Sequence, residues 1–140
     1  DLLDSSATPH SFADFAQRAD VVQQLRTLLG ERCSEFDDER LKHAKDVSQQ
    51  EAQPPECVVF PETNAEVARI SRLCHEGRVP LIPFGTGTAV EGGVVAVCGG
   101  VCLDLTRMNR IERFSPADMD VTVQAGVTRM RLNKFLDESQ

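Results

Sequence analysis

The order of two apolar runs around one helix in the middle of the chain constrains its fold most. The run CVVF (57–60) predicts a short buried strand, and VPLIPF (79–84) predicts a second. Between them, Thr63 and Glu66 are placed as the two partners of a helix capping box, and Gly77 is placed to end the helix. Strand, helix and strand in this order predict a βαβ unit with parallel strands. The inward face of its helix is predicted to carry Val67, Ile70, Leu73 and Cys74.

A glycine-rich loop, IPFGTGTAVEGG (82–93), follows the second of these strands. Ligands of α/β sheets bind beyond the carboxyl ends of the strands, so this loop is a candidate binding site. Two nucleotide-binding motifs do not fit it. The dinucleotide fingerprint GxGxxG matches Gly85 and Gly87 but requires a third glycine where Val90 stands. The P-loop spacing starts at Gly87 but places Gly93 where the lysine for the β- and γ-phosphates must stand.

The motif that remains is a loop whose backbone amides can form a nest for an anion. Glycine adopts positive φ without steric cost, so successive N–H groups can point at one bound oxygen. The hydroxyls of Thr86 and Thr88 can add two further donors. This pattern favours a diphosphate ligand, and an ordinary tight loop between strands is the alternative that the spacing leaves open.

The residues before this unit predict a helix and a linker. An apolar face predicts a helix over residues 11–30, with Ser11 as N-cap, Asp14 as its capping partner and Gly30 at its end. A polar stretch follows, which predicts a short acidic helix and an exposed linker that ends at residues 54–55. We therefore place the internal boundary there, with residues 1–53 as an N-terminal helical segment.

The residues after the glycine loop predict further strands and a last helix. Their apolar residues alternate with polar ones, which predicts strands with one wet face in antiparallel or mixed pairing. Residues 115–118 (SPAD) predict a turn, and Thr128 predicts the cap of a helix near the end of the chain. The predicted strands lie within residues 99–106, 110–114 and 120–127.

Overall composition narrows the class of function. A net charge of −7, spread along the chain, argues against a nucleic-acid-binding protein. No apolar run approaches the roughly 20 residues of a membrane-spanning helix. The first ten residues show neither a secretory signal nor an arginine-rich transit peptide. Five cysteines without a CxxC pair predict reduced, mostly buried thiols and no metal site.

Several of these blocks together carry a family resemblance. Residues 54–93 resemble the start of an FAD-binding domain of the vanillyl-alcohol oxidase type, also called the PCMH type. The blocks GGVCLDLTRMNRI (99–111) and DMDVTVQAGVTRMRLNKFL (118–136) resemble its FAD-dependent D-lactate dehydrogenase branch, and HAKDVS (43–48) resembles a stretch that precedes the domain there. The resemblance implies an α+β fold: a helix, then residues 54–140 as the incomplete N-terminal lobe of the FAD-binding domain.

The resemblance also implies site residues. In this family the glycine loop holds the FAD pyrophosphate through main-chain amides, with further glycines supporting the turn. Gly126 resembles a glycine that approaches the cofactor, although Ala125 stands where the family more often has proline. Glu91 is expected to face away from the phosphates and to accept backbone N–H bonds, since a carboxylate beside a diphosphate is repelled. The implied FAD contacts in the loop are Pro83, Phe84, Gly85, Thr86, Gly87 and Thr88, and the supporting glycines are Gly92 and Gly93.

The implied function is that of a flavin-dependent dehydrogenase. Such an enzyme oxidises D-lactate or a related D-2-hydroxy acid to the 2-oxo acid and passes electrons to cytochrome c or quinone. It is expected in mitochondria in a eukaryote, and in the cytoplasm or at the inner membrane in a bacterium. A glycolate oxidase or 2-hydroxyglutarate dehydrogenase type of flavoenzyme and a truncated non-catalytic domain are the alternatives.

The resemblance implies that parts of the enzyme lie outside these residues. The second lobe of the FAD domain and the substrate cap follow later in the family, so no catalytic residue is assigned, and the fragment alone is expected to be inactive and to bind FAD weakly. His10, His43 and His75 are expected to be solvated.

Overall fold

A computed structural model describes residues 12–139 of the chain. A four-stranded sheet, a two-stranded hairpin and four α-helices make up this described part. The expected α+β organisation, a helix followed by a mixed sheet, is confirmed. The strands are β1 (Cys33–Ser34), β2 (Cys57–Val59), β3 (Leu81–Phe84), β4 (Val101–Asp104), β5 (Ile111–Ser115) and β6 (Asp120–Val123). The helices are α1 (Phe15–Leu29), α2 (Asp37–Lys42), α3 (Asn64–Glu76) and α4 (Arg129–Glu138).

Helix α1 begins later than the sequence predicted. Asp14 is its N-cap: its carboxylate accepts the Gln17 amide at 2.9 Å, and the Gln17 side chain accepts the Asp14 amide at 3.1 Å. Because this box satisfies the first free amides, the helix starts at Phe15 and the predicted start at residue 11 is wrong. Ser11 itself lies outside the described residues. The end at Gly30, with φ 59°, is confirmed.

The βαβ unit is confirmed, with one addition. Strands β2 and β3 are parallel, but β4 lies between them and pairs in parallel with both, giving the order β1-β2-β4-β3. Thr63 caps α3 by accepting the Glu66 amide at 3.2 Å. The reciprocal half of the predicted box is wrong, because the Glu66 carboxylate accepts the Glu62 amide and binds Arg32. The Arg32 guanidinium holds the pKa of Glu66 down at about 2.

Strand β4 has no wet face, contrary to the prediction. All four of its residues are buried, and it is the strand with a parallel neighbour on each side. The alternation in its sequence misleads because the alternate positions, Cys102 and Asp104, are also suited to burial. A free thiol behaves as a small apolar group, and the Asp104 carboxylate is fully hydrogen-bonded by protein groups.

The N-terminal residues share the hydrophobic core of the sheet. Leu25 of α1 and Ile70 of α3 are fully buried in the same apolar cluster as β2. The two-residue strand β1, which the sequence did not predict, pairs antiparallel with β2. The division between residues 1–53 and 54–140 stays a prediction about family boundaries.

Four of the five cysteines are buried and Cys98 is exposed, and all are free, which confirms the predicted thiols.

The remaining elements occur where the sequence predicted them, except that Ser115 ends β5 and the turn begins one residue later than predicted. Strands β5 and β6 form an antiparallel hairpin around a turn at residues 116–119. The Thr128 hydroxyl caps α4 by accepting the Arg131 amide at 3.3 Å.

Within residues 12–139, no helix has the length and apolar character needed to cross a membrane, and no group of three or more metal-ligating side chains occurs.

Candidate functional site

A cavity of about 270 Å³ lies where the glycine loop meets the turn before α4. It opens at the carboxyl ends of the neighbouring parallel strands β3 and β4, which is where α/β sheets bind ligands. Three of the predicted site residues, Gly85, Thr86 and Gly126, come together in its wall. The complete lining is Gly85, Thr86, Thr106, Ala125, Gly126, Val127, Thr128 and Arg129.

Gly85 is a glycine of the cavity wall whose identity the chain itself does not explain. A Cβ built at this position would have no heavy atom within 4 Å, and its φ is not in the left-handed region. The fold would therefore accept a side chain there, but that side chain would occupy the open space beside the loop. A ligand that lies against the backbone needs this space, so Gly85 fits a cradle for a bound group.

Other glycines of the loop are required by the loop's own conformation. Gly87 has φ +67°, and a Cβ there would lie 2.9 Å from the Phe84 ring. Gly92 has φ +79°, and a Cβ there would lie 2.7 Å from Cγ of Gln50. Gly93 has ordinary room. The predicted contacts that do not line this cavity are Pro83, Phe84, Gly87, Thr88, Gly92 and Gly93.

Gly126 lines the cavity, and packing within the chain explains why it is a glycine. A Cβ there would collide with the carbonyl oxygen of Leu105 and lie 2.9 Å from that of Met108. Its amide donates to the Met108 carbonyl at 2.8 Å. Gly126 therefore holds the turn before α4 close to the segment that follows β4, and in this way it brings the two parts of the wall together.

Five lining residues were not predicted as site residues: Thr106, Ala125, Val127, Thr128 and Arg129. Arg129, the first residue of α4, is a basic residue in the lining of a cavity whose glycine loop contains no cation. Thr106 lies just beyond β4, and Oδ1 of Asp104 accepts both its amide, at 2.7 Å, and its hydroxyl, at 2.5 Å. Both residues are far from the loop in sequence and reach it only through the fold. The search for a cation inside the loop motif could not have found Arg129.

His43 is buried, so its predicted solvated position is wrong. Its Nε2 lies 2.8 Å from Oδ2 of Asp104, and its Nδ1 donates to the Glu39 carbonyl at 2.8 Å. Burial disfavours the charged ring, but the bonds to Asp104 and Glu39 outweigh it and raise the pKa of His43. Burial likewise opposes the charge on Asp104, but bonds from His43 and Thr106 lower the pKa of that carboxyl. Because both ring nitrogens face acceptors, these contacts favour an imidazolium opposite a carboxylate. His75 is exposed as predicted, and His10 lies outside the described residues.

The second half of the glycine loop is braced by the HAKDVS segment. The Val47 amide donates to the Ala89 carbonyl at 3.2 Å. Asp46 is buried, and its Oδ1 accepts the Ser48 amide at 2.9 Å. Contacts with Ser48 and with the Val94 amide lower the pKa of the Asp46 carboxyl. Its Oδ2 has no hydrogen-bond partner among the described residues. Glu91 is exposed, and its carboxylate accepts no hydrogen bond from residues 12–139, so its expected bracing role is wrong.

The lining of the cavity fits a diphosphate. Its lining contains two glycines, three threonines and one arginine, which can offer amides, hydroxyls and a guanidinium to an anion, and no carboxylate is among the lining residues. A larger groove of about 430 Å³ between α1 and α3 differs in this respect, because Asp20 and Glu76 line it. An anionic ligand is therefore suited to the cavity at the glycine loop.

Comparisons with known proteins agree with this geometry. A family model described as "FAD binding domain" matches residues 55–140. The "Probable D-lactate dehydrogenase, mitochondrial" of Danio rerio is 43% identical over 120 residues, covering 85% of this chain and 24% of the relative. The "D-lactate dehydrogenase [cytochrome], mitochondrial" of Arabidopsis thaliana is 36% identical over 121 residues, covering 85% and 21%. Enzymes named as a glycolate oxidase subunit and as D-2-hydroxyglutarate dehydrogenase are also similar to the chain.

Solved structures share the fold. The structure of p-cresol methylhydroxylase with substrate bound superposes with a TM-score of 0.80 at 26% identity, over 91% of this chain and 26% of that one. The chain thus spans about a quarter of the length of the relatives it matches.

Proposed function

The chain belongs to the FAD-binding domain family, as its sequence blocks predicted, and from that premise we propose that the cavity at the glycine loop holds the diphosphate of FAD. Gly85 carries this proposal, because it is a glycine in the cavity wall that nothing in the chain requires. The amides of Gly85 and Thr86 donate to phosphate oxygens, and the Arg129 guanidinium supplies the opposing charge. Phe84 and Gly87 set the entry and the bend of the loop, Thr88 lies next to Thr86, and Pro83, Gly92, Gly93 and Gly126 fix the backbone around it.

The whole protein is proposed to be a flavin-dependent dehydrogenase of D-lactate or a related D-2-hydroxy acid. FAD supplies the acceptor for the electrons of the substrate, and the described residues bind and orient it. The product is the 2-oxo acid, and the electrons pass on to cytochrome c or quinone. Relatives with mitochondrial names support a mitochondrial location in a eukaryote.

The test uses the protein expressed from its full reading frame. We expect it to be purified with a flavin that mass spectrometry identifies as FAD, and that D-lactate bleaches the flavin absorbance under anaerobic conditions. Glycolate and D-2-hydroxyglutarate are the matched substrates, because relatives carry those names. Faster bleaching by either would assign the alternative substrate, and a colourless protein that takes up no FAD would favour a non-catalytic domain.

A further inference from the structure

His43 contacts Phe84 and Asp104, and each of these residues adjoins residues that line the cavity. His43 itself lies outside the residues matched by the family model. The ring is 5% exposed and its centroid is 4.4 Å from that of Phe84. Phe84 is the last residue of β3, and the next two residues, Gly85 and Thr86, form one wall. A side chain that fixes the Phe84 ring therefore fixes the start of the glycine loop.

The other wall is reached through Asp104. Its Oδ2 binds His43, and its Oδ1 accepts the amide and the hydroxyl of Thr106. Thr106 lines the cavity beside the loop, since Phe84 and Asp104 are paired neighbours at the ends of β3 and β4. Asp104 thus uses both of its carboxylate oxygens: Oδ2 binds His43, which directly follows α2, and Oδ1 binds Thr106, which lines the cavity.

We propose that His43 and Asp104 are positioning residues of the FAD site. The pair fixes the wall of Gly85 and Thr86 relative to Thr106, so the cavity has its shape before the cofactor binds. This inference rests on the proposed FAD site. Pre-formed sites bind more tightly because less conformational freedom is lost on binding.

The positioning depends on the charge of His43. From α2 the ring faces the carbonyl of Glu39, with its carboxylate 3.6 Å from Nδ1, and from β4 it faces Asp104. Two further groups lie one contact away from the ring. The Cys102 thiol neighbours Asp104. The Arg107 guanidinium lies 5.1 Å from the ring of Phe60, and Phe60 packs edge-on against His43. The carboxylates favour the imidazolium. When the ring loses one proton, one of its two nitrogens presents a lone pair to an acceptor, either the Glu39 carbonyl or the Asp104 carboxylate. The charge attraction to Asp104 is lost in both tautomers, so the link weakens.

The experiment compares three variants in the protein expressed from its full reading frame. His43→Phe keeps a ring against Phe84 but removes both hydrogen bonds, and His43→Gln keeps one donor without a charge. Arg32→Met is the control, because it breaks the part-buried Arg32–Glu66 pair away from the cavity. The readouts are the amide exchange of Thr106 in the apo protein and the Kd for FAD between pH 6 and 9, a window that spans the ordinary histidine pKa of about 6.5.

We expect His43→Phe to lose protection at Thr106 and to bind FAD at least tenfold more weakly, whereas Arg32→Met changes the Kd less than about threefold. His43→Gln should restore part of the affinity. The wild-type affinity should fall as pH rises through the raised His43 pKa, and the profile of His43→Gln should be flat. Equal weakening by His43→Phe and Arg32→Met, or unchanged exchange at Thr106, would overturn the positioning role alone. A wild-type protein without FAD affinity would overturn the proposed function with it.

Discussion

The two halves of the glycine loop differ in what surrounds them. The first half, Gly85 and Thr86, borders an open cavity. In the second half, residues 87–93, two glycines are packed against the chain: Gly87 lies under the Phe84 ring, and Gly92 lies against Gln50. One motif therefore contains glycines that serve a ligand and glycines that serve the fold, and the number of glycines does not distinguish them.

The difference also explains why the loop needs residues from the N-terminal segment. A backbone with two residues at positive φ has few contacts of its own and is held by its neighbours. The Val47 amide supplies such a contact at Ala89 in the second half, and His43 supplies one to Phe84 at the entry of the loop. The first half borders open space instead, as a binding surface must.

The largest effect is expected for Gly87→Val, which changes the second half. A branched side chain resists φ +67°, and its Cβ would meet the Phe84 ring, so we expect a loss of about 3 kcal/mol in unfolding free energy. Because the loop loses its shape, flavin retention should be lost as well. Chemical denaturation of the apo protein and the flavin content measure the two effects. An apo protein as stable as wild type would show that Gly87 is not required by the fold.

The next effect is expected for Gly85→Val, and it separates binding from folding. The new side chain meets no chain atom at Cβ but fills space beside the phosphate position. We expect the Kd for FAD to rise at least tenfold, about 1.4 kcal/mol, while the unfolding free energy changes by less than about 0.5 kcal/mol.

Gly93→Val is the matched control for this variant, because Gly93 also has ordinary room but does not line the cavity. Flavin titration followed by fluorescence measures all three proteins. If Gly85→Val binds FAD as tightly as Gly93→Val, the first half of the loop is only a turn.

The fold could be predicted where the signal is local. The caps at Thr63 and Thr128 and the stripe that buries Ile70 and Cys74 lie within single elements, and both α3 and α4 were predicted. The centre of the sheet could not be predicted, since β4 has a partner on each side and its alternate residues are buried for different reasons. Strand β1 has two residues, too few to show a period.

The site was predicted less completely, for the same physical reason. Gly85 and Gly87 look alike in sequence, and only the sign of φ and the neighbouring atoms separate them. The link between His43 and Asp104 joins residues 61 positions apart. A histidine in a polar segment has no local feature that indicates burial. Arg129 likewise reaches the cavity only because Gly126 holds its turn against the backbone after β4.

A smaller effect is expected for Gly92→Ala in the second half. The φ of +79° costs an alanine about 1 kcal/mol, and the flexible Gln50 side chain can move away from the new Cβ. We expect the unfolding free energy to fall by that amount and the Kd for FAD to change less than about threefold. If the variant had wild-type stability but bound FAD tenfold more weakly, Gly92 would serve ligand binding, and the two halves of the loop would not differ in function.

The smallest effect is expected for Arg129→Gln, which tests whether the cavity uses a cation that the loop lacks. The guanidinium is exposed, so water and salt screen its attraction to a diphosphate, and we expect only about a threefold rise in the Kd for FAD. The same screening makes the wild-type affinity fall with ionic strength, and the variant should respond less. Arg131→Gln is the control, because Arg131 follows on the same exposed turn of α4 but does not line this cavity. Equal Kd values and equal salt responses for the two variants would mean that the amides of the first half hold the diphosphate without Arg129.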